Sequence, residues 1–360
     1  SLAQGIFGRL ARIILKLSTS YLSYCCMDKI MGKEKLILIA ILVLGLILRL
    51  IKIDQSFWLD EASQAQMSLM TVKSIWFDRQ ADFHPPLFYF LSHFWLQFGR
   101  SEIWLRLLPV SFGIVNILAI YYLAKALSPK VGLIAAFLLA INPFHVYYSQ
   151  EFRMYSLLAL LGTLSMLVFI KKKRSLILIN ALLLYTHYAS IFLIFTQIIY
   201  CFIFDRKYLK TSILYFLLSI ILFIPWLPQF LVQLQSGANI DTYLPGWRSI
   251  LTLSPLKSLP LILFKFVAGR IDLLPRYVYA AYIAFVLGVT AAGLLIARGK
   301  RRLLYTWLFF PIAASLILSF FIPQTQPFRL IFTLPALVIL LAESVLRFPK
   351  LFLTLLIYIA

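Results

Sequence analysis

Long apolar runs, separated by short basic clusters, make up most of this sequence. A helix that crosses the hydrocarbon core of a membrane needs about 20 mostly apolar residues. The runs that we interpret as membrane spans are residues 36–53, 103–124, 131–148, 155–170, 210–228, 276–297, 303–322 and 329–346, with another beginning at 351. The pattern predicts an all-α polytopic membrane protein, a bundle of about 10–11 transmembrane helices.

One apolar run, residues 175–204, is too long for a simple span and lies between Arg174 and Arg206. A single helix would place these two arginines on opposite sides of the membrane, whereas basic flanks belong on the cytoplasmic side. We therefore predict a hairpin of two short helices that turns near Thr186-His187-Tyr188.

The orientation of the chain follows from its basic clusters, the densest being residues 171–174 and 298–302, which we place in the cytoplasm. Residues 86–98 are apolar but too short to span, and we predict a surface helix there. With that choice every polar candidate discussed below falls on the outer face. If the segment crossed the membrane, Asp60 and Glu151 would lie on opposite sides.

The first outer loop, residues 54–102, is predicted to carry two amphipathic surface helices. Apolar residues recur there at alternating spacings of four and three, at Trp58, Ala62, Ala65, Leu69, Val72 and Trp76. This is one stripe of a single α-helix lying in the membrane interface, and residues 86–98 form the second helix. Residues 229–275 are predicted to be another outer loop with one short helix. Residues 1–35 are a basic extension that we expect outside the fold, and we expect the chain to be truncated at its C-terminal end.

Composition supports the membrane interpretation. Hydrophobic residues make up 62% of the chain and charged residues 13%, against about 25% charged in soluble domains. The net charge of +21 comes largely from basic residues between the apolar runs, where they act as topology signals beside anionic lipid. We therefore expect membrane lipid, and no nucleic acid, as a partner. The three cysteines form neither a disulfide framework nor a thiolate metal site.

Acidic residues are scarce, 13 in the whole chain, so their positions are informative. Asp60 and Glu61 directly follow the first span, where a carboxylate tends to mark a functional site. The alternative is a helix N-cap, since Asp is preferred there and acids are favoured in the first turn. Capping accounts for one carboxylate and not for two side by side.

Further candidates are Glu151 and Arg153 in a short junction between two spans, His84 before two prolines, His187 at the hairpin tip, and Arg329 at the start of a late span. Each has a structural alternative: an exposed ion pair, a helix boundary, an interfacial aromatic belt or a snorkelling arginine. Together, carboxylates suit deprotonation of a hydroxyl, and cations suit a phosphate that gains charge as it leaves.

Five motifs in this order resemble those of a known family. They are Trp58-Leu59-Asp60-Glu61, His84-Pro85-Pro86-Leu87-Phe88-Tyr89, Arg106-Leu107-Leu108-Pro109, Asn142-Pro143-Phe144 with Tyr148-Ser149-Gln150-Glu151-Phe152-Arg153-Met154-Tyr155, and Tyr185-Thr186-His187-Tyr188. The chain resembles the membrane glycosyltransferases of the C-type (GT-C) fold, and in particular the protein O-mannosyltransferase-like group. It is also similar to the aminoarabinose transferases of lipid A. The resemblance covers about residues 36–228, the expected catalytic module, with a weaker echo at Arg329.

The resemblance implies inverting transfer of a sugar from a polyprenyl-phosphate-linked donor to a hydroxyl of a protein, lipid or glycan, on the outer face of the plasma membrane. It implies Asp60 as general base, with Glu61 beside it and Glu151 as a second catalytic acidic residue. The residues implied to bind the donor phosphate or other parts of the substrates are His84, Arg153, His187 and Arg329. A divalent metal is left open, because Glu and His suit one but their spacing is not diagnostic.

Two other functions fit the same sequence. A lipid or small-solute transporter would place ionisable groups in mid-membrane and use inverted repeats, whereas here the acids lie at span ends and no repeat is visible. A non-catalytic assembly protein would keep the fold and lose the need for Asp60.

Overall fold

A computed structural model describes residues 27–77, 83–239, 255–270, 276–296, 301–320 and 325–347. Within these ranges the ordered elements are all helices, as predicted. The α-helices are α1 Met27–Leu50, α2 Leu59–Ser68, α3 Val72–Phe77, α4 Leu87–Trp95, α5 Glu102–Leu127, α6 Gly132–Ile141, α7 Pro143–Gln150, α8 Tyr155–Ile170, α9 Leu176–Thr186, α10 Ile191–Phe204, α11 Arg206–Phe223, α12 Leu227–Ala238, α13 Pro255–Ala268, α14 Arg276–Ile296, α15 Arg302–Leu318 and α16 Leu334–Arg347. Short 3₁₀ helices cover Tyr188–Ser190, Ile224–Trp226 and Pro327–Thr333.

The chain is a multi-pass membrane protein. Four described stretches are long and apolar enough to cross a membrane, namely Glu102–Leu127, Arg206–Gly237, Tyr277–Leu295 and Pro327–Arg347. Helices α6 and α7 would be a fifth if the bent pair is one span, and five further apolar helices have 10–17 residues. The predicted 10–11 spans are reached only if these shorter helices cross as well.

The span predicted at 131–148 is broken by a bend of 60° between α6 and α7. Pro143 has no N–H to continue the helical ladder. The Asn142 side chain instead accepts from His145 N at 2.8 Å and donates to Phe266 O at 2.7 Å, which ties the bend to α13. The bend sends α7 towards the junction that carries Glu151.

The predicted hairpin within 175–204 is confirmed. Asn180 Nδ2 on α9 lies 2.9 Å from Gln197 Oε1 on α10, a contact that one straight helix could not make over 17 residues at about 1.5 Å per residue. Ser165 of α8 closes a ring by donating to Asn180 Oδ1 at 2.6 Å and accepting from Gln197 Nε2 at 2.7 Å. All three side chains are buried, and each bonds to the other two.

The single helix predicted over Trp58–Trp76 is in fact two helices, α2 and α3. The first ends at Ser68, and Thr71 Oγ1 accepts from Ser74 N at 3.1 Å, so that Thr71 caps a new helix. The buried residues of α2 are polar, namely Glu61, Gln64 and Ser68. Of the apolar stripe, Trp58, Leu69 and Val72 are exposed, which fits a helix in the membrane interface, whereas Trp76 packs against Trp226.

Two predicted boundaries differ from the structure. Helix α1 begins at Met27, inside the extension expected to lie outside the fold. Glu34 of that extension accepts from Lys125 Nζ at 2.7 Å and from Tyr121 Oη at 2.6 Å. Two helices fall within the outer loop predicted at 229–275, since α12 continues to Ala238 and α13 covers Pro255–Ala268. Residues 1–26, 240–254, 271–275 and those from 348 onward lie outside the described residues.

The ring of Ser165, Asn180 and Gln197 gives the first prediction. Replacing Gln197 with Leu leaves the buried Asn180 Nδ2 without an acceptor and removes the donor to Ser165 Oγ, so we expect the free energy of unfolding to fall by about 1–2 kcal/mol. Chemical unfolding in detergent measures the change. Gln97→Leu, at an exposed position, is the control, and equal losses in the two variants would contradict the prediction.

Candidate active site

A buried ion pair between Glu61 and Arg106 lies at the centre of the candidate site. Arg106 on α5 donates from Nε to Glu61 Oε1 at 2.9 Å and from Nη2 to Oε2 at 2.6 Å, a two-point contact. Both side chains are almost fully buried, at 6% and 2% exposure. A guanidinium matches a carboxylate in this geometry, and Lys cannot reproduce it.

The same two residues hold the segments around them. Arg106 also donates to the backbone carbonyls of Ile53, Gln55 and Ser56, which fixes the turn between α1 and α2. Glu61 Oε1 accepts from Phe152 N at 2.7 Å, across the site in the junction after α7. Both Glu61 oxygens are therefore engaged, and the geometry favours a positioning role for this predicted catalytic residue.

The junction with Glu151 is held on both sides. Gln150 Nε2 donates to Ile51 O at 2.6 Å and to Arg49 O at 3.2 Å, which ties it to the end of α1. Phe152 is fully buried, and its ring stacks on Phe57 with 5.9 Å between centroids. The junction therefore cannot shift without disturbing both α1 and the Glu61 contact.

Glu151 itself is buried, with 6% exposure. Burial raises the pKa of its carboxyl to about 8, Arg153 opposes this rise, and the charges of Glu61 and Asp60 add to it. A carboxyl in this state is protonated at neutral pH.

Asp60 lies in the first turn of α2 and is half-buried. Arg153 Nη1 donates to Asp60 O at 3.3 Å. The structure thus brings Asp60, Glu151 and Arg153 together, as the sequence predicted. Arg153 and Asp60 are 93 positions apart in the chain.

The predicted phosphate-binding residues form a neighbouring group. The rings of His84 and His187 have centroids 5.8 Å apart. Burial lowers the pKa of His187 well below its usual range, and its electrostatic interactions with His84, Arg329 and Arg153 lower it further. His187 is therefore neutral inside a positive environment, and Ala189 N donates to its Nδ1 at 3.1 Å.

Sequence reasoning missed the residues that support His84. Gln233 of α12 is buried and donates to His84 O at 3.3 Å. Gln233 also accepts from Tyr188 Oη, which in turn accepts from Trp226 Nε1 at 2.9 Å. Single polar residues within apolar helices were the only signal for this chain of bonds.

Two arginines were also missed as site residues. Arg106 stands inside a quoted motif, but its partner lies 45 positions away, so the pairing was not visible. Arg270 follows α13 and is exposed; it donates to Tyr147 Oη at 2.7 Å, and its charge acts on Glu151. It extends the site beyond the catalytic module predicted at 36–228.

Over the residues whose structure is described, no group of three or more His, Cys, Asp or Glu side chains could hold a metal ion. The described residues supply carboxylates, guanidinium groups and imidazoles to the candidate site. These groups can accept a proton, hold a phosphate and orient hydroxyls.

The same architecture occurs in solved structures of the oligosaccharyltransferase of Archaeoglobus fulgidus. The AglB complex with an inhibitory peptide and a dolichol-phosphate has a TM-score of 0.54 and 16% identity, over 90% of this chain and 52% of that one. The complex with Zn and sulfate has a TM-score of 0.52 and 16% identity, over 88% and 51%. The chain thus has the fold of the C-type membrane glycosyltransferases, and it spans about half the length of these structures.

Within that class, residues 83–229 match the family described as dolichyl-phosphate-mannose-protein mannosyltransferase. The matched segment includes the motifs with His84, Arg106, Glu151, Arg153 and His187. The resemblance inferred from the sequence is confirmed by this match and by the fold. No curated protein matches the chain.

The Glu61–Arg106 pair yields the second prediction. Arg106→Ala leaves a buried carboxylate without its partner, so we expect the free energy of unfolding to fall by about 3–5 kcal/mol. Arg106→Lys keeps the positive charge and loses the two-point contact with the carboxylate. Its free energy of unfolding should lie between those of Arg106→Ala and the wild type. Exposed Arg100→Ala is the control in detergent unfolding, and an Arg106→Ala protein as stable as this control would refute the prediction.

Proposed function

We propose that this protein transfers a sugar from a polyprenyl-phosphate-linked donor to an acceptor hydroxyl on the outer face of the plasma membrane, with inversion at the anomeric carbon. The acceptor is a protein, a lipid or a glycan. The observation that carries the proposal is the meeting of Asp60 with Glu151 and Arg153 beside the His84–His187–Arg329 group. The dolichyl-phosphate-mannose family match and the dolichol-phosphate bound by the related AglB support the donor class.

In this proposal Asp60 is the general base. It is the half-exposed carboxylate of the site, so an acceptor hydroxyl can approach it. It takes the hydroxyl proton as the acceptor oxygen attacks the anomeric carbon in line, opposite the lipid phosphate. Glu61, engaged by Arg106, holds the first turn of α2 in place for this step.

The positive group stabilises the leaving phosphate. His187 is neutral because of burial and because cations surround it, so an arriving phosphate offsets an existing excess of positive charge. Arg329 and Arg153 carry that charge, and Arg is suited to bidentate phosphate contact. Preorganised cations at a position where negative charge develops lower the barrier most directly.

Replacing the base tests the mechanism. Asp60→Asn removes the proton acceptor at nearly constant volume, and we expect the transfer rate to fall by about 10²–10⁴-fold. Product mass analysis after incubation with polyprenyl-phosphate sugars measures the rate. Asp54→Asn, in the same loop at an exposed position, should keep the wild-type rate, and near-normal transfer by Asp60→Asn would exclude Asp60 as the base.

The side of the membrane is tested separately. In a variant with Cys25, Cys26 and Cys201 replaced, a single cysteine at position 60 should react with an impermeant thiol reagent added outside intact cells. A cysteine at position 171, in the predicted cytoplasmic cluster, should react only after the cells are opened. Labelling of both from the same side would contradict the proposed topology.

A further inference from the structure

One oxygen of the buried Glu151 carboxyl has no hydrogen bond to any residue that the structure describes. Its Oε2 has no exposed surface and no hydrogen-bond partner there, and the side chain is 94% buried, since its exposure is 6%. Arg153 donates to Asp60 O at 3.3 Å and shares a hydrogen bond with Tyr155. Glu151 is thus an acidic group that the positioning network surrounds but does not engage.

A buried carboxyl in this setting is held as the neutral acid. Taking an ionised carboxylate out of water without hydrogen bonds costs so much that the group binds a proton instead. Its charged and titratable neighbours are Asp60, Glu61, Arg153, Arg270, Tyr147, Tyr148 and Tyr155. Of these, Glu61 is paired with Arg106, and Asp60 and Glu61 both oppose a further negative charge at Glu151.

The arrangement also connects Glu151 with the phosphate-binding group. The charge of Arg153 acts both on Glu151 and on His187. Arg153 is therefore close enough to affect both the acid and His187.

We infer that Glu151 carries a proton in the resting enzyme and gives it to the departing lipid phosphate, as the general acid that complements Asp60. This inference rests on the proposed function and adds a second catalytic residue to it. It gives a specific role to the second catalytic acidic residue that the resemblance implies.

Each proton that moves during one turnover has a defined donor and acceptor. The acceptor O–H bond breaks and its proton passes to Asp60, while the acceptor oxygen forms a bond to the anomeric carbon. The bond from that carbon to the phosphate oxygen breaks, its electron pair stays on the phosphate, and that phosphate takes the proton of Glu151. The proton on Asp60 then passes to the Glu151 carboxylate through water, and both residues return to their starting states.

Infrared spectroscopy of the purified protein tests the resting proton without any transfer assay. In ester-free detergent the wild type should show a protonated-carboxyl C=O band at neutral pH that disappears as the pH rises through about 8, the pKa to which burial raises Glu151. Glu151→Gln should lack this component, while Asp60→Asn and the control Glu102→Gln should keep it.

Two infrared outcomes would overturn the inference. If wild type and Glu151→Gln have the same acid band, Glu151 is ionised at neutral pH. If Asp60→Asn removes the band, the proton resides on Asp60.

A kinetic comparison tests the transfer of the proton. With a polyprenyl-phosphate sugar, Glu151→Gln should be slower by about 10²–10⁴-fold, and Glu151→Asp should recover part of the rate. A donor whose lipid carries fluorine atoms near the phosphate releases a less basic leaving group, so the defect of Glu151→Gln should shrink with it. An equal defect with both donors would refute the acid role, whereas a wild type inactive with both would count against the proposed function and leave the infrared result standing.

The pH profile has a defined sign. The active form of Glu151 is protonated, so wild-type transfer should fall as the pH rises through about 8. The transfer rate of Glu151→Gln should be lower throughout and should not show this fall at high pH. An unchanged fall in that variant would assign the titration to another group and contradict the inference.

Discussion

The two-point contact between Glu61 and Arg106 is the interaction on which the candidate site depends. It joins the turn after α1, the first turn of α2 and the junction after α7, because the carbonyls of 53–56 and Phe152 N bind to the same two side chains. A buried charge pair is costly to desolvate and still more costly to break, since one unpaired charge would remain. Such a pair contributes little net stability, but it strongly disfavours other arrangements of the three segments that it joins. Asp60 and Glu151 therefore keep a fixed position relative to each other.

Polar groups inside the apolar helix bundle also need hydrogen-bond partners within the protein. Backbone and side-chain polar groups in lipid have no water to bond with, so they must find partners inside the protein. The ring of Ser165, Asn180 and Gln197 meets this condition, and so does Asn142 at the bend before α7. These bonds allow short and bent helices to persist where long straight ones would be expected, and the bend in turn places Glu151.

Much of the site was predictable because charge is rare in this chain. Asp60, Glu151 and Arg153 were identified as one group from their positions at span ends, and the structure brings them together. The role of Glu61 was not predictable in the same way. Which of two adjacent carboxylates faces inward depends on the rotation of α2 and on Arg106, a residue 45 positions away.

The sequence by itself determined the membrane class, the helical architecture and the hairpin at 175–204, because run length and basic flanks are local properties that the bilayer selects directly. Tertiary structure fixed the break at Asn142, because its side chain binds Phe266 O on α13, 124 positions away. The tertiary structure also decided whether each acidic side chain of the site is paired. Glu61 is paired, whereas Glu151 is buried and its Oε2 has no hydrogen-bond partner among the described residues, a difference set by neighbours distant in the chain.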